Sequence, residues 1–166
     1  MSRAFVKEDD LASEVLVPRA ARNHPNYVTP SGMAQWQRRA MALDDLIGAA
    51  AGAAERDLSL AAERETLLRE RRALESLIET AIVVAPPTSS TDEVHFGAWV
   101  TTEDAHGAIR RVHIVGADEV CIQRGEVSWV SPLGRALLGR RPGDTTLWER
   151  PDGNTELEVL AVGYDR

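Results

Sequence analysis

Two carboxylates, Glu55 and Asp57, sit in the short stretch "GAAERDLS" where two helical patterns meet. Carboxylates on a narrow protrusion can reach a divalent cation held in another protein's cleft, because Mg²⁺ commonly takes only one or two carboxylates from its host. The plainer reading of the same residues is a solvated turn. Just downstream, Arg64 and Arg71 stand one heptad apart with Arg69 and Arg72 beside them, and such a row could touch phosphates. Interleaved Glu63, Glu65, Glu70 and Glu75 make i,i+4 ion pairs the default explanation. Ser131 is surrounded by no G-x-S-x-G elbow, and before Pro132 it suits a helix cap better than a nucleophile. The four histidines, His24, His95, His106 and His113, show no H-x-x-x-H or His/carboxylate spacing and read as surface or sheet residues. "GRALLGRRPGD" lacks the G-K-[ST] ending of a phosphate-cradling loop. No catalytic pocket intrinsic to the chain emerges.

The elements that must position these residues follow from periodicity. Met33, Trp36, Ala40, Leu43, Ile47, Ala50 and Ala54 alternate steps of three and four, a coiled-coil seam that Thr29 or Ser31 can cap. Leu60, Leu67, Leu74 and Ala81 recur every seven residues, with Leu77 and Ile78 between them. Two seams with no proline between them, and Gly52 followed by "ERDLS" near their midpoint, predict two antiparallel helices that reverse between 52 and 59. This places Glu55 and Asp57 at the tip. "APPTSSTDE", 85–93, stops the second helix, since prolines cannot continue it and small polar residues bury nothing.

Beyond the linker, "VHFGAWVTT", "AIRRVHIVG" and "EVSWV" alternate apolar and polar residues, and "TTLWERPDGNTELEVLAVGY" reads as a hairpin turning at Pro151 to Asn154. Between the third strand and that hairpin, Ser131 suits an N-cap and Pro132 the first helical position. Leu133, Leu137 and Leu138 then face inward, and Gly139 or Gly143 ends the helix. The expected class is α+β. Residues 1–28 form an extended arm, 29–84 an antiparallel coiled-coil hairpin, 85–93 a linker, and 94–166 a small antiparallel sheet with one short helix.

Composition limits what such a molecule can do. Its 166 residues are 43% apolar and 27% charged, the balance of a globular chain. Cys121 is the sole cysteine, so neither an intrachain disulfide nor a paired-cysteine zinc site is available, which fits a reducing cytoplasm. No apolar run approaches the roughly 20 residues of a membrane span, and neither secretion nor membrane insertion is expected. The net charge of −7 includes no basic tail. Autonomous duplex binding is therefore disfavoured, and nucleic-acid contact falls to a partner.

At "SWVSPLGRALLGRRPGD", residues 128–144, the chain resembles the C-terminal signature of the Gre family, bacterial transcript cleavage factors that bind RNA polymerase. "NYVTPSG", "FGAWV", "HIVGADE" and "ELEVLAVGYD" are similar to family segments in the same order, so that the likeness spans roughly residues 26–166. The resemblance implies an FKBP-like C-terminal domain that docks on the rim of the polymerase's secondary channel, with Ser131, Pro132 and the adjacent Leu133 as the contact loop. It implies that the hairpin enters the channel, where acidic tip residues help hold a second Mg²⁺ at the polymerase's own active centre. Arg64 and Arg71 would then be candidates for RNA contact inside that complex. No intrinsic cofactor, no membrane partner and a monomeric state are expected, with RNA and DNA met only within the polymerase complex. The hairpin is shorter than the family norm, and "GAAERDLS" replaces the family's acidic-pair tip run. A non-cleaving regulator that occludes the channel is thus the alternative. A remoter one is a prolyl isomerase, which would need an aromatic pocket built from residues such as Phe96, Trp99, Trp129, Trp148 and Tyr164.

Overall fold

Thr29 opens the first helix. Its hydroxyl oxygen accepts from the Gly32 N–H at 3.0 Å and its carbonyl from the Met33 N–H at 2.9 Å, with Pro30 at the first helical position. Of the two caps the sequence allows, Thr29 takes the role, and Ser31 hydrogen-bonds its hydroxyl at 3.0 Å. The computed structural model describes residues 23–54, 58–88 and 91–164. In it α1 spans Pro30–Ala54 and α2 spans Leu58–Thr80. At about 1.5 Å per residue a helix of α1's length reaches nearly 40 Å.

The two helices pack through the stripe that heptad spacing predicts. Trp36, Ala40, Leu43 and Leu74 are buried, and Met33, Leu67, Leu77, Ile78 and Ala81 are packed against them. Burying a side chain such as Leu43 stabilises by roughly 1.5–3 kcal/mol. Across the pair, Arg39 meets Glu70 at 2.7 Å and Arg71 meets Asp44 at 2.8 Å. At the base, β1 (Tyr27–Val28) pairs in parallel with β2 (Ile82–Val83), and the Asn26 amide donates to the Leu77 carbonyl and to the Thr80 hydroxyl, both at 3.0 Å. One carbonyl of α2's last turns is thus met by a residue that precedes α1.

Five strands form the second unit, β3 (Ala98–Asp104), β4 (Ile109–Val115), β5 (Glu126–Ser128), β6 (Thr145–Trp148) and β7 (Thr155–Tyr164), in the order β5-β4-β3-β7-β6. Period-2 alternation turns Ala98, Val100, Val112, Ile114 and Val159 to one buried face. The short helix α3 (Pro132–Leu137) covers that face, with Leu137 wholly buried and Leu133 and Leu138 half-buried against it. The sheet is antiparallel except for β4 and β5, which run parallel. After β4 the chain returns through residues 116–125, including a 3₁₀ turn at Ile122–Arg124, before re-entering the sheet. The first expected strand starts later than alternation suggests, because Gly97 takes a φ of 83°. The preceding Val94 instead pairs by backbone with Gly139 and Arg140 at 2.8 Å. The third stops at Ser128, whose carbonyl accepts from the Ser131 N–H at 3.0 Å as the chain turns into α3.

The hairpin core and the sheet core share no residue. Among the described residues, neither α1 nor α2 packs extensively against a strand of the five-stranded sheet, so the two-helix unit does not lie across it. No helix among the described residues is long and apolar enough to cross a membrane.

Candidate docking loop and hairpin

The loop before α3 is built by local hydrogen bonds that leave its tip open. Ser131 has extended backbone angles, and its hydroxyl oxygen accepts from the Gly134 N–H at 3.0 Å while its carbonyl accepts from the Arg135 N–H at 2.9 Å. This is the N-cap that the Ser-Pro pair predicts. Pro132 is exposed, and Ser131 and Leu133 are half-buried at its flanks. Gly134 is buried so close to the preceding strand that a Cβ there would lie 2.2 Å from the Ser128 carbonyl oxygen. A residue without a side chain is what lets α3 sit against the end of β5.

Beneath the loop lies an aromatic joint. The Trp129 ring packs 5.1 Å from Tyr27 and edge-on to His24 at 5.8 Å, and Tyr27 meets Phe96 at 6.0 Å. Trp129 Nε1 is buried, with no hydrogen-bond partner among the described residues. Of the three exposed arginines in and after α3, one is held in a pair. Arg141 pairs with Glu93 at 3.0 Å, and that hydrogen bond raises its pKa above the ordinary arginine value. Arg135 and Arg140 remain exposed.

Comparison with known proteins shows which family the chain resembles. The pattern described as "Transcription elongation factor, GreA/GreB, C-term" is matched by residues 89–164. A transcription elongation factor GreB from Neisseria meningitidis serogroup A is 35% identical over 156 residues, covering 84% of this chain and 94% of the relative. The chain belongs to the Gre family of transcription elongation factors. A GreA from Acidiphilium cryptum is 40% identical over 106 residues, 63% of this chain and 68% of that one. Among solved structures, GreA factor homolog 1 (Gfh1) of Thermus thermophilus is 24% identical over 84% of this chain and 99% of its own, with a TM-score of 0.41.

In this Gre factor, Glu55 and Asp57 lie outside the described residues, between the end of α1 and the start of α2. Arg71 donates from Nε to Asp44 at 2.8 Å and approaches Glu75 at 3.7 Å; the Asp44 hydrogen bond raises its pKa. Arg64 is half-buried, and its Nε has no hydrogen-bond partner among the described residues. Arg69 and Arg72 both reach Glu65, at 3.9 and 3.8 Å. The i,i+4 pairs that the sequence predicts therefore form, while the two bridges between helices were not foreseen. Among the described residues, no group of three or more His, Cys, Asp or Glu could hold a metal ion.

The aromatics of the isomerase alternative do not converge. Phe96 and Trp129 pack around Tyr27, Trp99 stacks on His113 at 4.4 Å with Arg111 over its ring, and Trp148 lies against Arg150 at 4.9 Å. Tyr164 accepts from the His95 N–H at 2.9 Å and donates to the Glu93 carbonyl. A shallow depression elsewhere is lined by Glu103, Asp104, Glu156 and Glu158, a surface unsuited to an apolar proline ring.

Glu119 is the residue that sequence reasoning missed. It sits in the "GADE" turn after β4 and bonds to Thr29 at the start of α1. Spacing cannot announce a contact between positions 90 apart.

Proposed function

We propose that this Gre factor docks on RNA polymerase through the Ser131–Pro132–Leu133 loop and passes its two-helix hairpin into the secondary channel, modulating elongation in the cytoplasm. The observation that carries the reading is that neither helix packs extensively against the sheet module, whose exposed Pro132 loop is capped by Ser131. The chain then needs no pocket of its own, since the reacting phosphodiester and its metal ions belong to the polymerase. In that reading Glu55 and Asp57 are the ligands offered to a second Mg²⁺, which would position the attacking water, and Arg64 and Arg71 line the route toward RNA. An occluding, non-cleaving factor is the second reading, favoured by the tip "GAAERDLS", which lacks the family's acidic-pair run.

Gel filtration with purified core polymerase tests docking: wild type co-elutes, and Pro132→Glu does not. Co-elution of both, or of neither, overturns the loop assignment. On backtracked elongation complexes, release of short 3′ RNA that disappears in Glu55→Ala/Asp57→Ala supports cleavage. Unchanged or slowed release supports occlusion.

A further inference from the structure

We propose that Glu119 is the positioning residue that sets the angle at which the hairpin leaves the sheet module. This rests on the docking reading above, because the angle matters functionally only if a docked module must aim a finger. From the turn after β4, the Glu119 carboxylate accepts the Thr29 N–H at 3.0 Å, the Gly116 N–H at 2.7 Å and the Thr29 hydroxyl. That same hydroxyl accepts the Gly32 N–H and so caps α1. One carboxylate therefore ties the first turn of the hairpin to the turn that leaves β4, an inner strand of the sheet.

The joint is shaped around this contact. A Cβ on Gly32 would lie 1.8 Å from Glu119 Oε1, and one on Gly116 would lie 2.1 Å from the Tyr27 carbonyl oxygen. Thr29 is only 4% exposed, so water does not readily replace the carboxylate as its partner. The remaining contacts across the joint include the rings of Tyr27, Phe96 and Trp129, and apolar packing is non-directional. Hydrogen bonds to a charged acceptor are stronger than neutral ones and confine the donor's direction. The rings hold the two units together, and Glu119 fixes how they are turned.

The test uses the full chain in a Cys121→Ser background with spin labels at exposed Gln37 on α1 and Leu147 on β6. Double electron–electron resonance in the free protein should give one narrow distance distribution for the otherwise wild-type chain and a broadened, displaced one for Glu119→Ala. Gly32→Ala pushes a methyl into the carboxylate's place and should reproduce that broadening, with no further change in the double variant. Glu119→Gln keeps one accepting oxygen and should fall between. Circular dichroism controls for folding, because a merely structural role would lower the melting temperature and leave the distances of the folded protein unchanged. An unaltered distribution in Glu119→Ala, or a double variant broader than either single one, overturns the assignment. The distances are read without polymerase, so failure of wild type to co-elute would refute docking alone.

Discussion

The hairpin and the sheet module hold together in different ways. In the hairpin, burial is confined to one stripe and thins with distance from the base: Trp36, Ala40, Leu43 and Leu74 are buried, whereas Ile47, Ala50 and Leu60 are only half-buried. Local opening should therefore start at the tip end, where few apolar contacts must be broken. In the sheet module the inner face is closed by α3, and Val94, Ala98, Val100, Ile114, Leu137 and Val159 are all wholly buried. The lesson is that a sheet closed by a helix buries its core throughout, whereas a helix pair buries only a single stripe.

The largest effect should come from the hairpin core. Leu43→Ala removes a wholly buried side chain and should destabilise by about 2–5 kcal/mol. Amide hydrogen exchange should show the loss in α1 and α2 while β3 and β4 keep their protection. Equal loss of protection in the sheet would break the distinction between the two cores.

Next comes Gly134→Ala, which sets a methyl 2.2 Å from the Ser128 carbonyl oxygen. Overpacking of this kind costs about 1–3 kcal/mol, and displacement of α3 should also weaken co-elution with polymerase. A chemical-denaturation midpoint equal to wild type would show that α3 is not seated as described.

Tyr164→Phe should have a smaller effect, about 1 kcal/mol, through loss of its hydrogen bonds to His95 and Glu93. Burial raises the Tyr164 pKa above its ordinary 10.0. The folded state thus favours the protonated phenol: the contribution is complete below pH 10.0 and is lost as pH rises through the higher folded value. Wild type should show this alkaline limb in a melting series, and Tyr164→Phe should lack it. The smallest shift is expected for Arg71→Ala, whose partner Asp44 is itself largely exposed. A melting-temperature loss as large as that of Leu43→Ala would mean that the bridge between helices matters as much as the seam.

The difference between the two regions also explains what the sequence revealed. Heptad spacing placed Trp36, Leu43, Leu67 and Leu74 on one stripe because a two-helix unit has only one way to hide them. The Ser131–Pro132 cap was legible for the same reason, since its hydrogen bonds are local. The parallel pairing of β5 with β4, the bridges Arg39–Glu70 and Arg71–Asp44, and the Glu119–Thr29 contact were not legible. Each depends on which segments the topology brings side by side, and not on period.

Photo-cross-linking from the hairpin is the most direct test of the account. A photoreactive residue in place of exposed Ala51, near the end of α1, should attach to RNA polymerase in elongation complexes, and the product should vanish when Pro132→Glu is added. No cross-link from position 51, or one indifferent to Pro132, would contradict a finger aimed into the enzyme by the loop at its base.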